Sequence, residues 1–200
     1  MAAAVAEGLR REGVALLRWT PAAVALRERL AAAHAGLGKS WPAVDDDALR
    51  TALAFVPAVS TARNRADITR VDVVAALRGL LPWQLAGRLD ELVPERVEVP
   101  TGSRIRVDYS DPTVPTLSVR VQEVFGWADA PMVAGRRLRL QLLSPASRVI
   151  ATTADLAGFW VTGWPAVRSE LRGRYPRHPW PEDPAAATPT RRATPRRRPD

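Results

Sequence analysis

Two stretches contain residue types that could contact phosphate, and the first is Gly38-Lys39-Ser40. It matches the end of the phosphate-loop pattern G-x-x-x-x-G-K-[ST], although Ala33 stands where that pattern needs its first glycine. A phosphate loop joins a strand to a helix that starts at the lysine, so that backbone N–H groups face the anion. Residues 24–36 are instead rich in Ala, Leu and Arg at helical spacing, and Pro42 soon follows Ser40. We therefore interpret Gly36 or Gly38 as a helix end followed by a linker.

The second candidate is a set of arginines between residues 104 and 177, with nearby aromatic and imidazole side chains. Positions that alternate toward the outside of predicted strands carry Arg104, Arg106, Arg120, Arg137 and Arg139. The densest basic cluster of the body follows in RSELRGRYPRH and contains Arg168, Arg172, Arg174, Tyr175, Arg177 and His178. Arginines contact phosphates, and a tyrosine ring can stack on a base, so these residues are candidates for binding a single strand. Two alternatives stay open: the strand arginines solvate an outer face, and the RYPRHPWPEDP strap packs on the fold.

Catalytic chemistry has little support in the sequence. The chain has no cysteine, and its two histidines, His34 and His178, share no metal-ligand spacing. Asp45-Asp46-Asp47 is typical of a capped helix start, and Asp108 and Asp111 flank a turn. We expect no catalytic residues, no metal site and no cofactor. Whether the chain by itself has enzymatic activity is left undecided.

Length and charge suggest a folded body with a basic tail. The 200 residues suit one large domain or two small ones, and the net charge is +8. Half of that excess lies in residues 184–200, which contain five arginines and one aspartate among Pro, Ala and Thr. Such a composition predicts disorder and unspecific attraction to nucleic acid. The absence of cysteine, of a signal peptide and of a long apolar run predicts a cytoplasmic protein with no membrane contact.

Periodicity divides the body into helical and strand segments. Helical spacing predicts helices over residues 3–18, from Thr20-Pro21 onward, over 47–56, from Asp67 or Thr69 to Gly79, and after Pro82. The period changes after Pro94, where RVEVP, SRIRVDY, TLSVRVQEV, RRLRLQLL and SRVIATT alternate apolar and polar residues. Five short strands favour a small antiparallel barrel of the OB (oligonucleotide/oligosaccharide-binding) type, or else a compact sandwich.

We therefore predict an α+β fold in four parts. Residues 1–93 form a helical bundle segment, 94–152 an OB-like β-barrel, 153–183 C-terminal helices and an extended strap packed on the barrel, and 184–200 a disordered tail. The strap contains three closely spaced prolines, Pro176, Pro179 and Pro181, before the one that ends it, and they are incompatible with a regular helix. Phe159, Trp160 and Trp164 are expected to form an aromatic anchor.

Several long stretches of the chain share one resemblance: LPWQLAGRLDELVPERVEVPTGSRIRVDYS, LSVRVQEVFGW, LLSPASR, TADLAGFW and VRSELRGRYPRHPWPEDP, with GVALLRWTPAAVALRERL and SWPAVDDDAL upstream. Together they resemble the C-terminal region of the HrpB family of bacterial DExH-type ATP-dependent helicases. The resemblance extends from about Gly8 to Asp183. It departs within residues 54–66, where AFVPAV stands in place of a Trp-Leu-x-Pro-Tyr-like stretch.

The resemblance implies an accessory region. Helicases of this family have two motor domains that carry the phosphate loop and the DExH box, and no residue here matches those motifs. We expect a module that guides or grips single-stranded RNA or DNA for motor domains in cis or in trans. The alternative is a protein-interaction or structural domain that docks on helicase motors or on another partner without contacting nucleic acid.

Overall fold

The structure is a computed structural model that describes residues 13–53 and 64–191. These residues form two compact units. The first comprises the residues up to Val93 together with Tyr109–Thr113, and the second comprises Pro94–Asp108 together with the residues from Val114 onward. Helices make up the first unit, and all the described strands lie in the second, so the α+β fold class is confirmed. No helix within the described ranges is long and apolar enough to cross a membrane.

Side-chain caps start most of the helices in the first unit. Thr20, Asn64 and Asp72 each accept a hydrogen bond from the backbone N–H three residues later, as expected of N-cap residues. The helices within the described part of this unit are α1 (Pro21–Leu37), α2 (Asp46–Leu53), α3 (Arg65–Thr69), α4 (Val73–Gly79), α5 (Trp83–Ala86) and α6 (Leu89–Leu92).

Gly38 ends α1 in the way that the linker interpretation predicted. It has a φ of 95°, and its N–H donates to the His34 carbonyl oxygen at 3.2 Å. The His34 ring is also used locally, since its Nδ1 lies 2.7 Å from the Trp41 carbonyl oxygen. Asp45 then accepts a bond from the Ala48 N–H at 2.9 Å and starts α2. The Gly-Lys-Ser stretch is therefore a helix end and not a phosphate loop.

Three of the predicted helices differ from the observed ones. In place of a helix up to residue 18, Val14–Leu16 forms one 3₁₀ turn and Leu17 is extended, while residues 3–12 lie outside the described part. The fourth predicted helix is two helices, because Asp72 adopts an extended conformation and caps α4. The fifth predicted helix is also two helices, α5 and α6, which are separated by Gly87 and Arg88. Residues 54–63, which include most of the stretch that departs from the family, lie outside the described residues.

The second unit is built on a five-stranded sheet with the order β1-β2-β3-β6-β7. Its strands are β1 (Arg96–Glu98), β2 (Arg104–Asp108), β3 (Thr116–Arg120), β6 (Arg139–Leu143) and β7 (Val149–Thr153). A separate two-stranded sheet joins β4 (Met132–Val133) to β5 (Arg136–Arg137) through a turn in which Ala134 and Gly135 both have positive φ. One sheet face is buried through Val107, Leu117 and neighbouring apolar residues.

The antiparallel OB-like barrel predicted from the strand count is not found. Strands β3 and β6 pair in parallel, with Leu117 opposite Leu140, whereas the other neighbouring pairs are antiparallel. The described β1 and β7 each pair with one neighbour, so the sheet is open. A parallel pair needs a crossover connection, here residues 121–138, and alternation of residue types cannot distinguish parallel from antiparallel pairing.

Two helices and the strap complete the second unit around an aromatic cluster. Helices α7 (Leu156–Thr162) and α8 (Trp164–Arg174) bring Trp160 and Trp164 to ring-centroid distances of 6.1 and 5.4 Å from Phe125. Trp180 of the strap stacks on Trp164 at 5.7 Å, and the Trp164 indole N–H donates to the Pro181 carbonyl oxygen at 2.9 Å. The strap thus packs on α8.

Part of the segment predicted to be a disordered tail lies against the second unit. Pro184 is buried, and its carbonyl oxygen accepts a bond from the Gly126 N–H at 3.0 Å. The Thr190 N–H donates to the Gln122 carbonyl oxygen at 3.0 Å, and Arg191 donates to that of Thr101 at 2.6 Å. Residues 192–200 lie outside the described part.

Candidate nucleic-acid interface

Alternation along β1 and β2 places charged side chains on the solvent-exposed face of the sheet. The exposed positions in these strands are Arg96, Glu98, Arg104, Arg106 and Asp108. The register sets Arg96 directly opposite Arg106. Arg96 Nη1 donates to the Arg104 carbonyl oxygen at 3.0 Å, which holds this side chain across β2. Like charges directly opposite each other destabilise a strand pair, so a bound anion would relieve the repulsion between Arg96 and Arg106.

The next strand pair has one exposed arginine and one that bonds within the sheet. Arg120 ends β3 and is exposed. Arg139 is half-buried, and its Nε donates to Thr116 Oγ1 at 3.1 Å across the parallel β3–β6 pair. Arg137 forms an ion pair with Asp129, with 2.6 Å between Nη1 and Oδ2. Of these three candidates, only Arg120 makes no hydrogen bond or ion pair with another described residue.

Helix α8 separates its basic residues into two roles. Arg168 Nε donates to the Trp180 carbonyl oxygen at 2.8 Å, and its Nη2 lies 3.2 Å from Glu182 Oε1, so Arg168 attaches the strap to the helix. Arg172 and Arg174 are exposed in the last turn of α8, where a cation interacts favourably with the helix dipole. The Arg174 guanidinium carbon lies 5.8 Å from the centroid of the Tyr175 ring.

His178 links the strap to the strand arginines. Its Nδ1 is buried and has no hydrogen-bond partner among the described residues. Burial lowers the pKa of His178 below its ordinary value, and the positive charges of Arg177 and Arg120 lower it further. The imidazole is therefore mainly neutral at pH 7. Arg120 of β3 and Arg177 of the strap are thus the two cations whose charges act on His178.

The structure thus brings together only part of the predicted set. Arg104 and Arg106 share the exposed sheet face. The charges of Arg120 and Arg177 both lower the pKa of His178. Arg172, Arg174 and Tyr175 lie at the end of α8, whereas Arg137, Arg139 and Arg168 are engaged in contacts within the unit. Sequence reasoning missed Arg96, although its outward position in the alternating segment RVEVP would have identified it by the criterion that selected Arg104.

The VPTGSR stretch forms a turn around a buried carboxylate. Glu123, which is 8% exposed, accepts hydrogen bonds from Ser103 Oγ at 2.8 Å and from Thr101 Oγ1 at 3.3 Å. Gly102, between these two residues, has a φ of 75°, which favours glycine. Since both hydroxyls bond to Glu123, the stretch acts as a structural turn in this unit.

Clusters of metal-ligating side chains are not found within the described residues. Within residues 13–53 and 64–191, no group of three or more His, Asp or Glu side chains could hold a metal ion. The exposed arginines instead offer positive charge and N–H donors, which suit contacts with phosphate oxygens.

Known proteins of one helicase family are similar to this chain. A family model described as "ATP-dependent helicase C-terminal" (HrpB_C) matches residues 55–184. The ATP-dependent RNA helicase HrpB of Escherichia coli K12 is 44% identical over 194 residues, covering 94% of this chain and 24% of that protein.

Two solved structures also match. A crystal structure of the E. coli DExH-box NTPase HrpB superposes with a TM-score of 0.82 at 44% identity, covering 94% of this chain and 24% of that one. A crystal structure of the Escherichia coli DEAH/RHA helicase HrpB gives 0.69 at 41% identity, covering 88% of this chain and 23% of that one. The chain therefore spans about a quarter of these relatives. It belongs to the HrpB helicase family and corresponds to its C-terminal region.

Proposed function

We propose that this chain is an accessory module of an HrpB-like ATP-dependent RNA helicase, which grips single-stranded nucleic acid while motor domains move it. The observation that carries the proposal is the excess of exposed arginines over carboxylates on the second unit. Arg96, Arg104 and Arg106 contribute from β1 and β2, and Arg120 and Arg177 contribute near His178.

The arrangement suits a phosphate backbone better than a base-specific site. Exposed guanidiniums on strands spaced about 4.8 Å apart can contact successive phosphates of one strand. Glu98 lies directly opposite Arg104, so this cation is partly offset, and Arg106 beside Arg96 is the stronger anion contact. Tyr175, half-buried at the end of α8, is the aromatic side chain that could stack on a base.

The test is fluorescence-anisotropy binding of labelled single-stranded RNA across a salt series. The chain would be used whole and with residues 192–200 removed, since Thr190 and Arg191 bond to the second unit and must be kept. Each phosphate contact to a single strand contributes about −0.7 to the slope of log K against log salt. Replacing Arg96 and Arg106 by Ala should therefore make the slope less negative by about 1.4.

The matched control is Arg137→Ala together with Arg136→Ala, which removes the same charge from the β4–β5 hairpin. We expect the control variant to keep most of the slope of log K against log salt. Two results would contradict specific binding by the sheet face. One is an equal loss of RNA affinity in both double variants, and the other is a complete loss of RNA binding when only residues 192–200 are removed.

A docking function without nucleic acid is the second candidate, and it is favoured by apolar side chains left in solvent. Trp83 in α5 is 82% exposed, and Val161 in α7 is 76% exposed. Exposed aromatic residues are typical of protein–protein contacts. If this function is correct, Trp83→Ala should weaken association with helicase motor domains, and binding should depend little on salt.

A further inference from the structure

The first unit contains a cavity that the nucleic-acid proposal does not use. Its volume is about 410 Å³, within the range of about 300–1,000 Å³ that is usual for ligand pockets. The walls combine aromatic, aliphatic and acidic side chains, namely Trp19, Val24, Glu28, Val44, Asp45 and Tyr109.

Hydrogen bonds hold the walls in place without a ligand. The Trp19 indole N–H donates to the Val14 carbonyl oxygen at 2.9 Å, which fixes the ring. Arg27 also lines the cavity, where its Nε donates to the Val44 carbonyl oxygen at 2.7 Å. Its guanidinium carbon lies 5.1 Å from the centroid of the Trp19 ring. The cavity is thus pre-organised, which lowers the entropic cost of binding.

Negative charge dominates around the cavity. Arg27 is the one cation among the residues that line it, and its Nη2 is already paired with Asp46 Oδ1 at 2.6 Å. The carboxylate of Glu28 is half-buried and makes no hydrogen bond or ion pair with another described residue. Asp45 is exposed at the rim, and the bond that it accepts from the Ala48 N–H lowers the pKa of its carboxyl group. The charge of Arg27 lowers that pKa as well, to a smaller extent. The residues that line the cavity therefore carry two carboxylates, Glu28 and Asp45, against one cation that is already paired with Asp46.

We propose that this cavity binds a basic side chain, lysine or arginine, of a partner polypeptide. The aliphatic stem would lie against Val24, Val44 and Pro112, and the charged head would reach Glu28 and Asp45. Long basic side chains commonly bury their methylene groups while the charge meets an acidic partner. A phosphate group is a poor ligand here because both carboxylates would repel it, so the site is distinct in chemistry from the arginine-rich sheet face.

The test uses the full chain labelled with 5-fluorotryptophan and observed by fluorine NMR. The chain has seven tryptophans, and Trp19→Phe identifies the resonance of Trp19. Nα-acetyl-arginine amide is added as the probe, and the neutral isostere Nα-acetyl-citrulline amide is the matched control. We expect a saturable shift of the Trp19 resonance with the arginine probe and binding about tenfold weaker with citrulline, since a charge-assisted bond is lost.

Two variants test the residues. Glu28→Gln should weaken the arginine probe severalfold, whereas Glu170→Gln on the exposed side of α8 should leave binding unchanged. Val24→Arg, at a position 40% exposed, would place a competing cation at the rim and should abolish binding without disturbing the core. The other tryptophan resonances report whether each variant remains folded.

Several results would overturn the proposal. One is a Trp19 resonance that does not move, and another is an equal response to the arginine and citrulline probes. A folded Glu28→Gln variant with full affinity would also contradict it. A salt-sensitive shift of Trp19 produced by single-stranded RNA, with none produced by the arginine probe, would assign the cavity to nucleic acid instead.

Discussion

Arg29 in α1 is a buried cation whose removal should destabilise the helical unit. The side chain is 3% exposed. Its Nε donates to the Val93 carbonyl oxygen at 2.7 Å, and its Nη2 lies 3.4 Å from the Leu89 carbonyl oxygen and 2.5 Å from Asp90 Oδ1. The guanidinium therefore lies at the C-terminal end of α6 and supplies a donor to the Val93 carbonyl oxygen just beyond the helix, whereas the Leu89 carbonyl oxygen already accepts from the Val93 N–H at 2.8 Å.

The carbonyl bonds should contribute more than the ion pair. Val93 is fully buried, and leaving a buried acceptor without its donor costs about 1–3 kcal/mol. The bond to Leu89 is long and adds little. Asp90 is 83% exposed, and an ion pair with an exposed partner contributes about 0–1 kcal/mol. We expect Arg29→Ala to lower the free energy of unfolding by about 2–3 kcal/mol and Asp90→Asn by about 0.5 kcal/mol.

The assay is urea unfolding followed by far-UV circular dichroism and by the fluorine resonances of Trp19 and Trp41 in the helical unit. Arg50→Ala is the matched control, since Arg50 is 41% exposed and pairs only with the exposed Asp47 among the described residues. It should change stability by less than about 0.5 kcal/mol. If Asp90→Asn destabilises the unit as much as Arg29→Ala does, the ion pair and not the carbonyl capping provides most of the stabilisation, and the reasoning is refuted.

Three further predictions concern the second unit. Trp180→Ala removes the stack on Trp164 and should lower the free energy of unfolding, measured by thermal denaturation, by about 2–3 kcal/mol. It should also speed proteolysis of the strap, and an unchanged rate of proteolysis would contradict the packing. Gly102→Ala should cost about 1 kcal/mol in urea unfolding because of its φ of 75°, and a neutral effect would mean that the turn relaxes. The folded pKa of His178 is lowered, so the unfolded chain binds the proton more readily, and stability should fall as pH drops below about 6.5. His178→Gln should flatten that part of the stability–pH curve, and an unaltered curve would rule out His178 as its source.

Much of the local structure could be predicted because its causes lie within a few residues. Thr20-Pro21 and Asp45 start helices through bonds to backbone N–H groups three positions away, and Gly38 ends one through its positive φ. Alternation along β2 predicted that Arg104 and Arg106 would be exposed, since side chains on a strand alternate between faces. The breaks at Asp72 and Gly87 were missed because the apolar periodicity continues across them.

The candidate interface could be predicted only in part. Exposure of Arg104, Arg106 and Arg120 follows from strand alternation, but the partners of the other arginines come from distant segments. Arg168 bonds to Trp180 and Glu182, twelve and fourteen residues away, and Arg139 bonds to Thr116 across the sheet. A side chain's availability for a ligand depends on such contacts, which composition and spacing do not specify.

The sequence by itself determined which part of the chain is helical and which part forms strands, the exposed faces of the strands and the membership in the HrpB family, because these depend on local bonding, alternation and long shared stretches. Only the tertiary structure decided that β3 and β6 pair in parallel in an open sheet. It also decided that Arg120 approaches His178 and that a cavity with two carboxylates forms around Trp19. These features depend on contacts between residues far apart in the chain, and their free energies are set by packing that no local pattern encodes.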